Sequence, residues 1–234
     1  MRPPAPVAAR DTTGLDELDA MLLADATQSG LPIPVPMAAL NVPTQARHSE
    51  RLAGRTTLER ALEVVSPLVS ATAEWHADDG YVERHTFAPS AGARHPLTAL
   101  ILTKADEGSS YARWAVSPSL APQRFEVTEH DDQIRAVLNA TAGALQKPKP
   151  PWTVIVLLAR FRRTLSKYPD GDSLVWRDSG VFLGSAHLIA VSLGLRSCIA
   201  GIADTTRFTL RGTSDTLTDV GALVISERDS SSWH

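Results

Sequence analysis

Residues 87–103 read FAPSAGARHPLTALILT, and the two halves of this stretch behave differently. The first half, Pro89-Ser90-Ala91-Gly92-Ala93, is a tight loop of small residues. The second half, Leu97 to Leu102, is an apolar run that reads as a buried strand. Arg94, His95 and Pro96 stand between them. A small-residue loop feeding a core strand lets backbone approach something flat or closely held, because no bulky side chain intervenes. The plainer alternative is a surface turn ahead of a strand.

The chain has 234 residues, enough to bury a substantial core in one large domain or two small ones. Hydrophobic residues make up 43% and charged residues 21%, the balance of a soluble globular protein. A formal net charge of -3 argues against nucleic acid as a partner. The apolar runs near Val154–Ala159 and Val181–Leu195 are too short or too interrupted to span a bilayer. The first residues, MRPPAPVAAR, lack the apolar centre of a signal peptide, so a cytoplasmic location is the expectation. A single cysteine, Cys198, excludes an intrachain disulfide and a cysteine-based zinc site. The histidines show no metal-ligand spacing, and no metal is expected.

Three regions are expected: a Pro-rich arm or short helix over 1–45, a folded domain over 46–228, and a polar tail over 229–234. In the arm, Leu15 to Leu23 suits a short amphipathic helix, and Pro32, Pro34 and Pro36 alternate with apolar residues as an extended segment. Thr56 and Glu59 have the spacing of a capping box for a helix that Pro67 ends or kinks. Strands are expected at Tyr81–Phe87, Leu97–Thr103, Tyr111–Val116 and Arg124–Val127. Asp131 or Asp132 can cap a helix running to about Gln146. Trp152–Ala159 reads as a central strand. Asp172 or Ser173 starts a long helix to about Leu193, with Gly194 as its stop. Cys198–Ile202, with Gly201 inside it, reads as a short strand. A short helix near Asp204 and a final strand at Val220–Ser226 follow. The strands do not alternate evenly with helices, and no GxGxxG opens a helix after a strand. This favours an α+β fold, a mixed sheet flanked by helices, over a doubly wound dinucleotide fold.

Some polar residues suggest chemistry. Arg47, Ser49 and Arg51 fall at alternate positions, so in an extended segment they share a face. Two guanidinium groups flanking a hydroxyl suit a phosphate monoester; a solvated basic turn is the alternative. His95 reads as a structural or substrate-facing residue, His187 as a satisfied helix histidine, and Cys198 as a buried thiol.

Four segments together resemble the SagB-type dehydrogenases of the nitroreductase superfamily. PSAGARHPL resembles the SAGxxxPL loop and strand of that family, and RHSER at Arg47–Arg51 resembles the superfamily's RRSxR opening. FRRTLSKYPDG resembles the RTLxKYG segment. SGVFLGSAHLIAVSLGLRSCIAGI resembles the long helix, turn and IGG strand. The resemblance runs in order over about residues 45–228.

It implies a nitroreductase-like fold and a homodimer with FMN at the subunit interface. Arg47, Ser49 and Arg51 would hold the FMN phosphate, joined by Arg228. Ser90, Ala91 and Gly92 would lie along the flavin ring, and the backbone of Ala200 and Gly201 would bond to it. The implied reaction oxidises thiazoline or oxazoline rings to thiazoles or oxazoles in a ribosomally made peptide. The partners implied are the modified precursor peptide and the heterocyclase enzymes that form its rings. The family's Lys-Tyr pair matches Lys167 and Tyr168, the expected catalytic residues. A free lysine is protonated at neutral pH, so a base role calls for burial or nearby cations, and Arg162 and Arg163 lie close in sequence. The competing readings are an NAD(P)H-dependent flavin reductase and a flavin-free scaffold subunit. The chain departs from the family pattern at His48, at Pro169 after the Lys-Tyr pair, and at Ala200 before Gly201.

Overall fold

The computed structural model describes residues 31–32, 54–104, 110–128, 130–209 and 216–227. A two-residue strand, β1 (Leu31–Pro32), comes first. Helix α1 (Leu58–Val69) and a hairpin of β2 (Ala71–His76) and β3 (Val82–Thr86) follow. Then come β4 (Leu97–Lys104), β5 (Tyr111–Val116) and β6 (Gln123–Glu126). Helix α2 (Asp131–Ala144) leads to β7 (Thr153–Ala159), the short helix α3 (Phe161–Leu165) and the long helix α4 (Asp172–Ser192). The last elements are β8 (Arg196–Ala200), β9 (Arg207–Thr209) and β10 (Thr216–Ser226).

The main sheet runs β1-β6-β5-β4-β7-β10-β8, with β9 paired to β10. The class is α+β as expected, but each described strand pairing is antiparallel where a mixed sheet was anticipated. The apolar strands are continuous because helices cover both faces. Ala99, Ile101, Ile155, Leu157, Leu223 and Ile225 face the core shared with α1 and α4. Their neighbours Leu100, Leu102, Val154, Val156, Ala222 and Val224 face the core shared with α2. Each of the Val, Leu and Ile side chains among them contributes about 1.5–3 kcal/mol when fully buried.

Several local expectations change. The cap of α1 is Thr57, whose side chain accepts from the Arg60 N–H at 3.3 Å, while Thr56 Oγ1 donates to Glu227. Pro67 lies inside α1 and does not end it. The cap position of α2 is His130, in the left-handed region at φ 70, without a side-chain cap bond from Asp131 or Asp132. Bends replace the expected helix near Asp204, whose N–H donates to the Asp219 carbonyl at 2.8 Å. Gly201 lies just past the end of β8 and not within it. The hairpin strand β2 and the helix α3 were not anticipated.

The end of α4 behaves as its sequence asks. Gly194 takes φ 76, its N–H donates to the Val191 carbonyl and the Leu195 N–H reaches Ala190, the paired bonds of a Schellman motif. In β10 the register shifts between Asp219 and Ala222 around Gly221 at φ 141. A Cβ on Gly221 would stand 2.6 Å from Leu183 Cδ1, so the bulge lets the sheet close on α4. Ser179 Oγ fastens that contact by donating to the Val220 carbonyl at 2.7 Å. No described helix is long and apolar enough to cross a membrane. The expected helix at Leu15–Leu23, most of the Pro-rich segment and the tail lie outside the described residues.

Candidate active site

Strand register gathers the candidate residues at one end of the sheet. Leu97 pairs with Ala159, and Ala159 pairs with Thr218, so the start of β4, the end of β7 and the start of β10 are level. The loop at 89–93 arrives at this end, and α3 leaves from it toward Lys167 and Tyr168. On β8, Ala200 stands opposite Ala222, and Gly201 continues toward the same end.

The loop and the Lys-Tyr pair meet directly. Gly92 takes φ 59, in the left-handed region. A Cβ there would stand 2.7 Å from the Tyr168 hydroxyl and 2.9 Å from Lys167 Cδ. Only glycine satisfies both the conformation and the space. Lys167 Nζ donates to the Gly92 carbonyl at 3.3 Å. Tyr168 is half-buried, and its carbonyl accepts from the Gly171 N–H at 2.8 Å. Pro169 thus occupies the second position of a four-residue turn, where proline is favoured, which accounts for this departure from the family pattern.

The polar groups of the loop are tied to a residue that sequence reading missed. Asp178, on α4, accepts from Ser90 Oγ at 2.6 Å and from the Ala91 N–H at 3.2 Å. Ser90 Oγ in turn accepts from the His95 N–H at 2.9 Å. Burial pushes the Asp178 carboxyl above its ordinary range, and the bonds from Ser90 and Ala91 oppose that rise. A polar residue on the inward face of a long apolar helix was the available signal. His95 is structural: its Nε2–H donates to the Arg84 carbonyl at 2.7 Å. Burial holds its imidazole below the ordinary range; the Arg84 bond opposes this, and the charges of Arg84 and His85 add to it. His187 is likewise satisfied, by Ser197 Oγ at 2.7 Å, and Cys198 is buried.

Beside Lys167 opens a cleft of about 680 Å³, lined by residues including Trp75, Asp79, Glu83, Arg94 and Ser166. Lys167 Nζ donates to Glu83 Oε1 at 2.8 Å. Of the two arginines expected beside Lys167, Arg163 donates to the His95 carbonyl at 3.3 Å, and the cation nearest that contact is Arg94, 4.0 Å from Glu83 Oε1. Arg94 is 2% exposed. It pairs with Asp79 and lies over the Tyr81 ring at 4.4 Å. Burial raises the Asp79 carboxyl, but the bonds from Arg94 and the Tyr81 N–H outweigh it and leave Asp79 below the usual carboxylate range.

The remaining expectations divide. Arg47, Ser49, Arg51 and Arg228 lie outside the described residues. Arg55 and Glu227, described residues close to them in sequence, meet at the opposite end of the sheet, where the Glu227 N–H donates to the Arg55 carbonyl at 2.8 Å. Ala200 is buried, whereas Gly201 is exposed with open space where its Cβ would stand. The edge strand β8 is three strands from β4, about 14 Å at ordinary strand spacing. The open backbone at Gly201 leaves room for the flat ring that the resemblance implies. At the loop it would be held by shape, since Ser90 Oγ and the Ala91 N–H are engaged by Asp178. Among the described residues, no group of three or more His, Cys, Asp or Glu side chains could hold a metal ion.

Comparison with known proteins agrees with this architecture. No curated protein matches the chain. A chain of the E. coli microcin synthetase McbBCD complex with truncated pro-MccB17 bound is 17% identical with a TM-score of 0.53, covering 97% of this chain and 85% of that one. A candidate nitroreductase from Anabaena variabilis is 18% identical with a TM-score of 0.52 over 82% of this chain. This chain spans 42% of the length of that protein. At these identities the likeness speaks to the fold alone. The family model for nitroreductases matches residues 46–215, most of the chain including the loop, the cleft and the Lys-Tyr pair, and the chain therefore belongs to the nitroreductase family.

Proposed function

We propose that this protein is an FMN-dependent dehydrogenase that oxidises thiazoline or oxazoline rings to thiazoles or oxazoles in a ribosomally made peptide. The observation that carries the reading is the closure of Gly92 on Lys167 and Tyr168 at the head of an open cleft. A flavin reductase taking hydride from a nicotinamide needs no lysine beside the ring face. An azoline oxidation does, because a proton must leave ring carbon. The likeness to a chain of a peptide-bound synthetase complex supports a peptide substrate and association with ring-forming enzymes. A cytoplasmic location goes with that reading.

In the proposed site, Arg47, Ser49, Arg51 and Arg228 would hold the phosphate of FMN, and Ser90–Gly92 with the backbone of Ala200 and Gly201 would bed its ring. When bound, FMN would supply the acceptor for the hydride. Acting as the neutral amine, with its N–H groups donating to Glu83 and the Gly92 carbonyl, Lys167 Nζ would take the proton from the azoline carbon, and the adjacent Tyr168 hydroxyl would orient the ring. Asp178 would keep the loop in place. The reaction balances as one proton and one hydride lost from the azoline.

The test is direct. Purified protein loaded with FMN and given an azoline-containing peptide should yield a product lighter by two hydrogens in mass spectrometry, without added nicotinamide. A colourless protein that takes up no FMN would favour the scaffold reading. Flavin reduction by NADPH with no azole formed would favour the reductase.

A homodimer belongs to the same proposal. The outer face of α4 carries Gly180, Val181, Gly184 and Leu188; Val181 is 41% exposed and Leu188 44% exposed. Open space surrounds both glycines, so a second subunit can approach closely. In a twofold interface each substitution counts twice. Leu188→Asp should therefore weaken self-association by about tenfold or more in sedimentation velocity, and an unchanged dimer would remove this face from the interface.

A further inference from the structure

Strand β3 buries a charge. Of its residues, only Glu83 is buried, 8% exposed, between half-buried Val82 and Arg84. Glutamate is almost never buried unless it is paired. Here both carboxylate oxygens are held by other elements. Oε1 accepts from Lys167 Nζ at 2.8 Å, and Oε2 accepts from the Trp75 Nε1–H at 3.0 Å. Arg94 Nη2 stands 4.0 Å from Oε1 and carries the chain of alternating charge on to Asp79.

The hairpin exists apart from the main sheet, as a two-stranded unit of β2 and β3. An isolated hairpin is marginal in water. This one is tied down where it borders the cleft. Tyr81 Oη donates to the Arg94 carbonyl at 2.7 Å, the His95 imidazole donates to the Arg84 carbonyl, and Arg94 pairs with Asp79. These ties fix the register of β3 against the loop and so fix where Glu83 points.

We propose that Glu83 is a positioning residue for Lys167, and that the hairpin serves to present it. The inference rests on Lys167 being the proton acceptor. A lysine side chain has four rotatable bonds and ranges widely unless held. Glu83 and the Gly92 carbonyl together set Nζ at the cleft wall. The charged or titratable groups that line the cleft with Lys167 are Glu83 from β3, Arg94 from the loop, and His76, Asp78 and Asp79 from the hairpin end, and the Tyr168 ring lies 5.9 Å from Nζ. Of these, Glu83 makes the direct ion pair.

The test uses Glu83→Gln, which keeps the shape of the side chain and removes its charge. Without substrate or flavin, the labelling of Lys167 by acetic anhydride is followed by peptide mass spectrometry, with Lys104 as internal reference. Freed of the partner that holds Nζ at the cleft wall, Lys167 should be labelled about fivefold or more faster relative to Lys104. On the FMN-loaded enzyme, the same variant should lower kcat about tenfold or more while KM changes less than about twofold. Glu83→Asp, which keeps the charge but shortens the reach, should restore the slow labelling only in part. Unchanged labelling with unchanged kcat would overturn the proposal, as would a loss of turnover matched by a loss of folded protein in circular dichroism. Failure of the Lys167 reading shows separately, as azole formation by a Lys167→Ala enzyme.

Discussion

A Lys167→Ala enzyme should form azole at least about a hundredfold more slowly than the wild type, in line with the loss of a general base. It should still bind FMN, because the proposed cradle uses the loop and β8 backbone and not the lysine side chain. It should also stay folded. Lys167 is partly solvent-exposed, and its ion pair with Glu83 sits at the wall of an open cleft. Removing one partner leaves Glu83 buried with Trp75 Nε1 and a more distant Arg94, a moderate cost. The measurement is single-turnover azole formation followed by mass spectrometry, alongside the flavin absorbance of the same sample. Full turnover in the variant would remove Lys167 from the chemistry. Loss of flavin together with turnover would assign it to binding.

The second large effect is expected on stability. Asp178→Ala removes the acceptor for both Ser90 Oγ and the Ala91 N–H, in a site where the aspartate is buried. Two half-buried donors lose their partner, at about 1–2 kcal/mol each, so the variant should lose about 2–4 kcal/mol. In a chain of this size that corresponds to a Tm about 5–15 °C lower. Because the same bonds shape the loop over Tyr168, FMN uptake should weaken as well.

The pH dependence has a definite sign. Burial raises the Asp178 carboxyl in the folded state. The folded state therefore holds this proton more tightly than the unfolded chain does. The stability that protonated Asp178 contributes is full below the ordinary carboxylate range and is lost as pH rises through the raised folded value. Asp178→Asn cannot titrate. The stability advantage of the wild type over the Asn variant should thus be largest in acid and shrink toward neutral pH. Scanning calorimetry at several pH values checks this, and an advantage that grows with pH would contradict it.

Much of the fold was legible because its signals are local. The β-branched run at Thr153–Ala159, the periodicity of α4 and the glycine stop at Gly194 each follow from neighbouring residues. Sheet direction was not legible in the same way. A strand with both faces apolar suggests parallel packing, yet β4 and β7 are antiparallel and owe their apolar faces to helices on both sides. The hairpin strand β2, reading ATAEWH, was missed because it carries no clean alternation; its burial comes from what packs on it.

The candidate site divides along the same line. By itself the sequence determined that a small-residue loop precedes a core strand and that Lys167 and Tyr168 stand together after another. Adjacency in the chain and residue type are enough for that. Only the tertiary structure decided that these two segments touch at Gly92, that Asp178 ties down the loop, and that Lys167 meets Glu83. Those partners lie between 75 and 88 positions apart in the chain. No local propensity encodes such contacts. They follow from the register of the sheet and the seating of α4 on it, which bring distant segments to one end of the fold.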